Sequence, residues 1–199
     1  MKHLVLKTQQ SPGTHSMSGL SQTIKFLYIM RNILIILFSM LVSSLHAYTI
    51  SNSGKRFIKD QETCVLTAYW DSTGYSIGWG HHGSDVKKNM RISKAQANKY
   101  FNKDIKKIEN IANKLINNLP YKYKFSQGFF DGLCSLVYNA GEYGVQKSEF
   151  YQRLKRCRVR NGKINKNDLN YSIAGVKTSR ISAPGHKYRR YDEHKLMLS

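Results

Sequence analysis

The chain has 199 residues, enough for one domain and a targeting segment. It carries 32 Lys and Arg against 12 Asp and Glu, a formal net charge of +20, and such an excess favours an anionic partner. No helix-turn-helix, zinc or RNP-like pattern accompanies the charge, so we expect no nucleic-acid partner. The sequence also has no HExxH, CxxC, GxGxxG or Walker pattern, and we predict neither a metal site nor a cofactor.

Residues 1–47 have the composition of an export signal. They hold four basic residues and no acidic one, and residues 33–42 are apolar except for Ser39. Small Ala47 follows a short polar stretch, so we predict cleavage near it and one domain over residues 48–199. An uncleaved signal anchor is the alternative, and Met30 is a second candidate start that would make residues 1–29 an upstream extension.

Two carboxylates, Glu62 and Asp71, are the first chemical feature of the predicted domain. Glu62 ends an apolar helical run, and its neighbours would shield it from water and keep it protonated. Asp71 comes nine residues later at a chain reversal, where water would keep it ionised. Glycoside hydrolysis needs this combination, because one carboxyl donates a proton to the leaving oxygen while the other activates water or attacks the sugar. The apolar neighbours of Glu62 are Phe57, Ile58, Val65 and Leu66.

A strand is predicted over residues 75–80, where large and small side chains alternate. Glycines beside a hydroxyl group on one face would let a ligand approach the backbone. Ser76 could hold a water between itself and Asp71 there. On spacing alone, a solvated Glu, a turn Asp and a strand Ser remain the simpler interpretation. One face carries Tyr75, Ile77 and Trp79, and the other carries Ser76, Gly78 and Gly80.

Four further elements are predicted downstream. Ser93 caps a helix that runs to about Leu119 before Pro120, roughly 40 Å long and able to join two lobes across a cleft. Residues 126–140 are apolar nearly all round and predict a buried helix with Gly141 as its C-cap. Residues 155–168 predict a basic loop or hairpin turning at residues 161–162, and residues 187–198 a short amphipathic helix.

The segment 62–82 resembles the phage-type lysozymes (endolysins, glycoside hydrolase family 24). Their signature is E-x8-D-x5-T followed by I-G-x-G-H, and it stands here as Glu62-x8-Asp71-x4-Ser76 followed by IGWGH at residues 77–81. The turn between Asp71 and Ser76 is one residue shorter than in the family, and Ser replaces Thr. Three more motifs resemble those of the family and follow in the same order. They are MRISKAQA at residues 90–97, FDGLCSLVYNAG at residues 130–141 and PGHKYRR at residues 184–190.

The resemblance implies an α+β, lysozyme-like fold, with a small lobe containing a short antiparallel sheet and a larger helical lobe joined to it by the long helix. It implies hydrolysis of the β-1,4 bond between N-acetylmuramic acid and N-acetylglucosamine in peptidoglycan. Glu62 would be the general acid, Asp71 the base or nucleophile and Ser76 the group that positions water. The rival interpretation is a catalytically dead cell-wall-binding module of the same fold.

The resemblance also implies that Tyr138, Asn139 and Ser148 bind substrate. A core tyrosine, a helix C-cap and a helix N-cap are the corresponding structural alternatives. The implied partners are peptidoglycan glycan strands and the anionic cell envelope, with the protein exported as a monomer to the periplasm or the medium. Whether a phage or a bacterium uses the activity stays open at this point.

Three cysteines permit at most one disulfide. Cys134 falls in the predicted buried helix and is expected to act as a small hydrophobic residue. A bond between Cys64 and Cys157 stays open for an oxidising compartment. His81 is expected to orient a loop by pairing with a carboxylate.

Overall fold

The computed structural model describes residues 24, 26–35, 47–177 and 187–199. The chain divides into two compact units, residues 1–46 and residues 47–199. Residues 26–35 are helical, and none of the described helices is long and apolar enough to cross a membrane. Most of the predicted signal lies outside the described residues, as does the start of the PGHKYRR motif, so both stay predictions.

The second unit contains a three-stranded antiparallel sheet in the order β1-β2-β3, a separate two-stranded hairpin and six helices within the described ranges. This mixture confirms the predicted α+β class. The elements are α1 (Asn52–Asp60), β1 (Val65–Asp71), β2 (Gly74–Gly78), β3 (His81–His82), α2 (Lys94–Asn117), α3 (Gln127–Lys147), α4 (Glu149–Leu154), β4 (Val159–Arg160), β5 (Lys163–Ile164), α5 (Lys166–Ala174) and α6 (Lys187–Met197).

Helix α2 is the predicted long helix. Ser93 caps it as predicted, and Gln96 completes a capping box by accepting the Ser93 backbone N–H. Its 24 residues correspond to about 36 Å at 1.5 Å per residue, and it packs against both β2 and α3. It therefore links the sheet to the helical part of the domain. Its apolar stripe is buried at Ala97, Phe101, Ile105, Ala112, Leu115 and Ile116.

Helix α3 is the buried helix, and Ser126 caps it by accepting a hydrogen bond from the Phe129 N–H at 3.1 Å. The helical conformation breaks at Gly141 as predicted, but the φ and ψ angles there are 69° and 173°, outside the left-handed α region expected of the cap. A further helical segment follows this break and continues to Lys147. Val145 is fully buried, so the extra turn contributes to the core.

The basic segment forms the predicted hairpin, with β4 and β5 pairing antiparallel. Asn161 and Gly162 both have positive φ angles, 51° and 69°. Two such residues are what a two-residue turn between twisted antiparallel strands requires.

The first residues of the second unit are tied to the helices. The Tyr48 N–H donates to Asn113 Oδ1 at 2.8 Å, and the Ser51 N–H donates to Asp131 Oδ1 at 2.9 Å. The Ser51 hydroxyl donates to the other oxygen of Asp131. A side chain at Gly54 would place its Cβ 2.5 Å from Asp131 Cγ, so glycine allows α1 to approach this carboxylate. Asp131, which is 2% exposed, is therefore the anchor of α1 on α3.

Replacing Asp131 with Ala should destabilise the fold. The substitution removes a buried acceptor of several hydrogen bonds and leaves the Ser51 N–H without its partner, which is expected to cost about 3 kcal/mol. Urea unfolding followed by circular dichroism measures the change. The matched control is Asp60→Ala, at an exposed carboxylate that ends α1. Equal stability of the two variants would contradict the anchoring role.

Candidate active site

Glu62 lies in the turn that follows α1. The helix ends at Asp60, Gln61 is its C-cap, and the Glu62 N–H donates to the Lys59 carbonyl at 3.2 Å. The side chain is half-buried, with 24% of its surface exposed. Its carboxylate oxygen Oε1 accepts a hydrogen bond from Arg189 Nη1 at 2.6 Å. The expectation of an apolar enclosure is therefore wrong: the group against the carboxylate is a guanidinium, and Leu66 is exposed.

Arg189 reaches Glu62 from the C-terminal helix α6 and is 4% exposed. Its Nε donates to Glu193 Oε1 at 3.1 Å, and its Nη2 donates to the Ser135 carbonyl at 3.3 Å. The Ser135 hydroxyl donates to the same Glu193 oxygen at 2.6 Å. A buried guanidinium needs such partners on all sides. These contacts fix Arg189, and Arg189 in turn fixes one oxygen of Glu62.

Glu193, which is fully buried, also binds Arg190. Burial raises the pKa of Glu193, whereas the charge of Arg190 and its other contacts act in the opposite direction. Burial likewise lowers the pKa of Arg190, opposed by Glu193. Arg190 Nη2 donates to Asn139 Oδ1. The network therefore runs from Glu62 through α6 to the end of the buried part of α3, where Asn139 was expected to face a substrate.

Asp71 is exposed at the end of β1, as predicted. It pairs with Gly74 across a turn of two residues, and Ser72 in that turn has φ 35°, a strained conformation for a residue with a side chain. Gly74 has a separate role, because a Cβ at this position would lie 2.7 Å from the ring of His82. The short turn thus holds Asp71 at the tip of the sheet, and His82 of β3 packs against Gly74 on the other side of the turn.

Ser76 is placed differently from the expectation. It lies on β2 with 1% of its surface exposed, and its Oγ lies 3.2 Å from His82 Nδ1. The predicted alternation holds from Tyr75 to Ile77 but ends at Gly78, where β2 ends with φ 69°. The expected cleared face is therefore wrong, because the imidazole of β3 occupies the space beside the hydroxyl.

Tyr69 was not singled out in the sequence, and it connects the predicted residues. It pairs with Ser76 in the register of β1 and β2 and is 38% exposed. Burial raises the pKa of the Tyr69 phenol, the charges of Asp71 and Glu62 raise it further, and a hydrogen bond with Ser76 lowers it. In the sheet, Tyr69 and Asp71 lie two residues apart on β1 and so share one face, and Ser76 lies opposite Tyr69.

Tyr138 joins the helical part of the domain to the sheet. Its hydroxyl donates to the Trp79 carbonyl at 2.6 Å, directly after β2. Burial raises the pKa of Tyr138, and the charges of Glu62 and Asp104 raise it further. Tyr138 thus holds the end of the sheet onto α3.

Ser148 is the buried N-cap of α4. Its hydroxyl donates to the Val145 carbonyl at 2.6 Å and accepts from the Tyr151 N–H at 3.2 Å. The hydroxyl thus acts as donor and acceptor within the protein, so the structure gives Ser148 the capping role.

His81 pairs with carboxylates, as predicted. Its Nδ1 lies 2.6 Å from Asp104 Oδ2 and its Nε2 lies 3.3 Å from Asp85 Oδ1. The ring stacks on Tyr100 with a centroid distance of 4.1 Å. His81 therefore joins the loop after β3 to α2. Within the described residues, no group of three or more His, Cys, Asp or Glu side chains is placed to hold a metal ion.

All three cysteines lie in the described residues and are free thiols. Burial raises the pKa of the Cys134 thiol, in keeping with its expected packing role. Cys157 Sγ lies 3.2 Å from Ser172 Oγ, within the helical part of the domain.

A two-lobed α+β fold with a glutamate after the first helix and an aspartate at the tip of a small sheet defines a lysozyme-like protein. The model of the phage lysozyme family matches residues 59–193, which is more than half of the chain, and this chain belongs to that family.

Individual relatives are phage endolysins. That of Bacillus phage PZA is 32% identical over 113 residues, covering 55% of this chain and 42% of that protein. That of Lactococcus phage c2 is 37% identical over 100 residues, covering 48% of this chain and 41% of that protein. The chain thus spans about two fifths of the length of these relatives. That of Salmonella phage P22 is 29% identical over 110 residues, covering 53% and 72%.

Solved structures share the fold. The endolysin from Escherichia coli O157:H7 phage FAHEc1 is 31% identical, with a TM-score of 0.58, and the match covers 76% of this chain and 94% of that one. The muramidase domain of SpmX from Asticaccaulis excentricus is 22% identical, with a TM-score of 0.61. The match covers 76% of this chain and 99% of that one. The second of these likenesses shows the fold alone.

Replacing Arg189 with Met should destabilise the protein and disorder the Glu62 carboxylate. Removing one partner of a buried ion pair is expected to cost about 3–5 kcal/mol, because Glu193 stays buried with fewer partners. Thermal unfolding measures this loss. Lys114→Met is the matched control, since it breaks a surface pair with Glu142 and should cost less than ~1 kcal/mol. Similar losses in both variants would contradict the structural importance of Arg189.

Proposed function

We propose that this chain is a lysozyme that hydrolyses the β-1,4 bond between N-acetylmuramic acid and N-acetylglucosamine in peptidoglycan. The observation that carries the proposal is the match of the phage lysozyme family to residues 59–193, a range that contains both Glu62 and Asp71. The reaction needs two carboxyl groups with different tasks, and these two lie in different settings.

Glu62 is the proposed general acid. Arg189 binds its Oε1, whereas Oε2 makes no hydrogen bond among the described residues. A carboxyl group held by one oxygen presents the other in a fixed direction, which suits proton transfer to a leaving oxygen. The arginine would also stabilise the carboxylate that remains after the proton has left.

Asp71 is the proposed base or nucleophile. Its exposed position at the tip of β1 leaves it accessible to a glycan strand. A water between Asp71 and the sugar would lead to inversion, and direct attack by Asp71 would lead to retention. The likeness to the family favours inversion.

Ser76 remains the candidate for positioning water, now with His82 beside its hydroxyl. In this proposal His82 orients the Ser76 hydroxyl toward the space between Tyr69 and Asp71. Tyr138 and Asn139 are proposed to contact the glycan on the Glu62 side. Ser148 is left out of the proposed site because its hydroxyl caps α4.

Export through residues 1–47 would bring the enzyme to its substrate, as a monomer in the periplasm or the medium. Residues 48–199 keep 28 basic and 12 acidic residues, and this positive excess supports attraction to the anionic envelope. Host lysis by a phage and attack or wall remodelling by a bacterium are equally compatible uses of such an activity.

Replacing Glu62 with Gln should abolish the clearing of purified peptidoglycan. Loss of a general acid commonly removes a factor of about 10² or more, while the near-isosteric amide should leave the fold intact. Turbidity of a wall suspension measures activity, and circular dichroism checks folding. The control Glu142→Gln changes a surface carboxylate paired with Lys114 and should clear walls normally.

The same assay separates the enzyme from the rival wall-binding module. That module would bind walls and leave them intact with or without Glu62. Normal clearing by Glu62→Gln would instead remove Glu62 from the mechanism.

Replacing Ser76 with Ala should lose much of the activity if its hydroxyl positions water. Ser76→Thr keeps the hydroxyl and should retain more activity than Ser76→Ala. A fully active Ser76→Ala enzyme would exclude Ser76 from the reaction.

Proton NMR of the first anomer released from a soluble glycan reports whether the reaction inverts. A retained configuration would assign direct attack to Asp71.

A further inference from the structure

The β4–β5 hairpin has an exposed cationic surface that is not part of the proposed active site. Val159 lies opposite Ile164 in the strand register, and Arg160 lies opposite Lys163. Ile164 is buried in the core, whereas Arg160 and Lys163 are exposed. Because side chains alternate along a strand, buried Ile164 and half-buried Val159 fix the direction in which the charged pair points.

Positive charge is concentrated on this hairpin and its flanks. Residues 155–166 contain six basic residues and no acidic one. The nearest acid, Asp168, holds Arg158 in a two-point contact, with Nε–Oδ2 at 2.8 Å and Nη2–Oδ1 at 2.9 Å. Neither Arg160 nor Lys163 has an ion-pair partner within the described ranges. Asp168 therefore orients one cation and leaves the other charges of the hairpin uncompensated.

The direct opposition of Arg160 and Lys163 is unfavourable by itself. Like charges facing each other across paired strands destabilise the pair, and the two-residue turn keeps them adjacent. An anion bound between them would turn this repulsion into attraction. The opposition of Arg160 and Lys163 therefore destabilises the free hairpin, and a negatively charged ligand would stabilise it.

The cations border a groove that has room for such a ligand. Its volume is about 470 Å³, within the range of small-molecule sites. No aromatic side chain lines it, so it offers no platform for stacking bases. Two of its three cations are arginines, whose planar forks match phosphate oxygens. The lining residues are Arg158, Arg160, Lys163, Ile164 and Asn165.

We propose that this groove binds the phosphate groups of an anionic polymer of the bacterial cell wall, at a site separate from Glu62 and Asp71. The choice of a wall polymer rests on the proposed function, since a peptidoglycan hydrolase works where such polymers are attached. The groove retains the enzyme on the wall while the carboxylates act on the glycan. A phosphate polymer suits this groove better than a lipid surface does, because the apolar lining residue Ile164 is only 7% exposed and offers little apolar area for a membrane to cover.

The test compares Arg160→Gln/Lys163→Gln with Lys99→Gln/Lys106→Gln in the full-length chain. Both double variants lose two exposed positive charges, and the control pair lies on α2. Binding is measured by co-sedimentation with walls that carry the phosphate polymer and with walls from which it has been extracted. Hydrolysis of a soluble peptidoglycan fragment and thermal unfolding are measured in parallel.

We expect the hairpin variant to bind polymer-bearing walls about tenfold to thirtyfold more weakly than the control variant, since each cation near an anionic surface contributes appreciably. On extracted walls the two should bind alike. Inorganic polyphosphate should displace the unmodified protein from polymer-bearing walls. Soluble-fragment hydrolysis should be the same in both variants, because the hairpin contributes nothing to the active site.

Equal binding by the two variants would overturn the hairpin assignment. An equal loss on both kinds of wall would overturn the phosphate assignment in favour of peptidoglycan itself. Tighter hairpin-dependent binding to phosphatidylglycerol vesicles or to duplex DNA than to polymer-bearing walls would overturn the choice of polymer. If no protein hydrolyses the soluble fragment, the proposed lysozyme function fails, whereas the binding comparison still decides the role of the hairpin.

Discussion

The ion pair between Glu62 and Arg189 is the contact that makes one site out of distant parts of the chain. Glu62 lies in the turn between α1 and the sheet, and Arg189 comes from the last helix. Burying a guanidinium is costly unless its donors are satisfied, and Glu193 and Ser135 satisfy them. The C-terminal helix therefore fixes the position of the Glu62 carboxylate and also contributes to the core. Its charged face is buried because the charges pair with one another.

The pattern of the sequence was sufficient for most of the helices and strands. Ser93 and Ser126 mark helix starts because a side-chain oxygen there accepts a backbone N–H, and this chemistry is local. The positive φ angles at Gly141 and Asn161 follow from local turn chemistry in the same way. Such features depend on a few neighbouring residues, and the sequence displays them directly.

The surroundings of the site could not be predicted in the same way. Arg189 and Glu62 are separated by 127 positions. A periodic pattern of apolar residues does not indicate contacts between residues so far apart in the sequence. The apolar residues near Glu62 in sequence suggested an enclosure, but the helix ends before Glu62 and the turn directs its carboxylate toward α6. Ser76 was assigned to an open face because the side chains of β2 alternate. That assignment could not account for His82, which arrives from β3 and packs against Gly74.

The position of Arg189 near the C-terminus also has a consequence for synthesis. A ribosome makes the chain from its N-terminus, and domains form as their residues emerge. The sheet, α2 and α3 are all synthesised before α6. The guanidinium that binds Glu62 is therefore made 127 positions after its partner. In the proposed mechanism, Glu62 is aligned only once α6 has been made and has packed against α3.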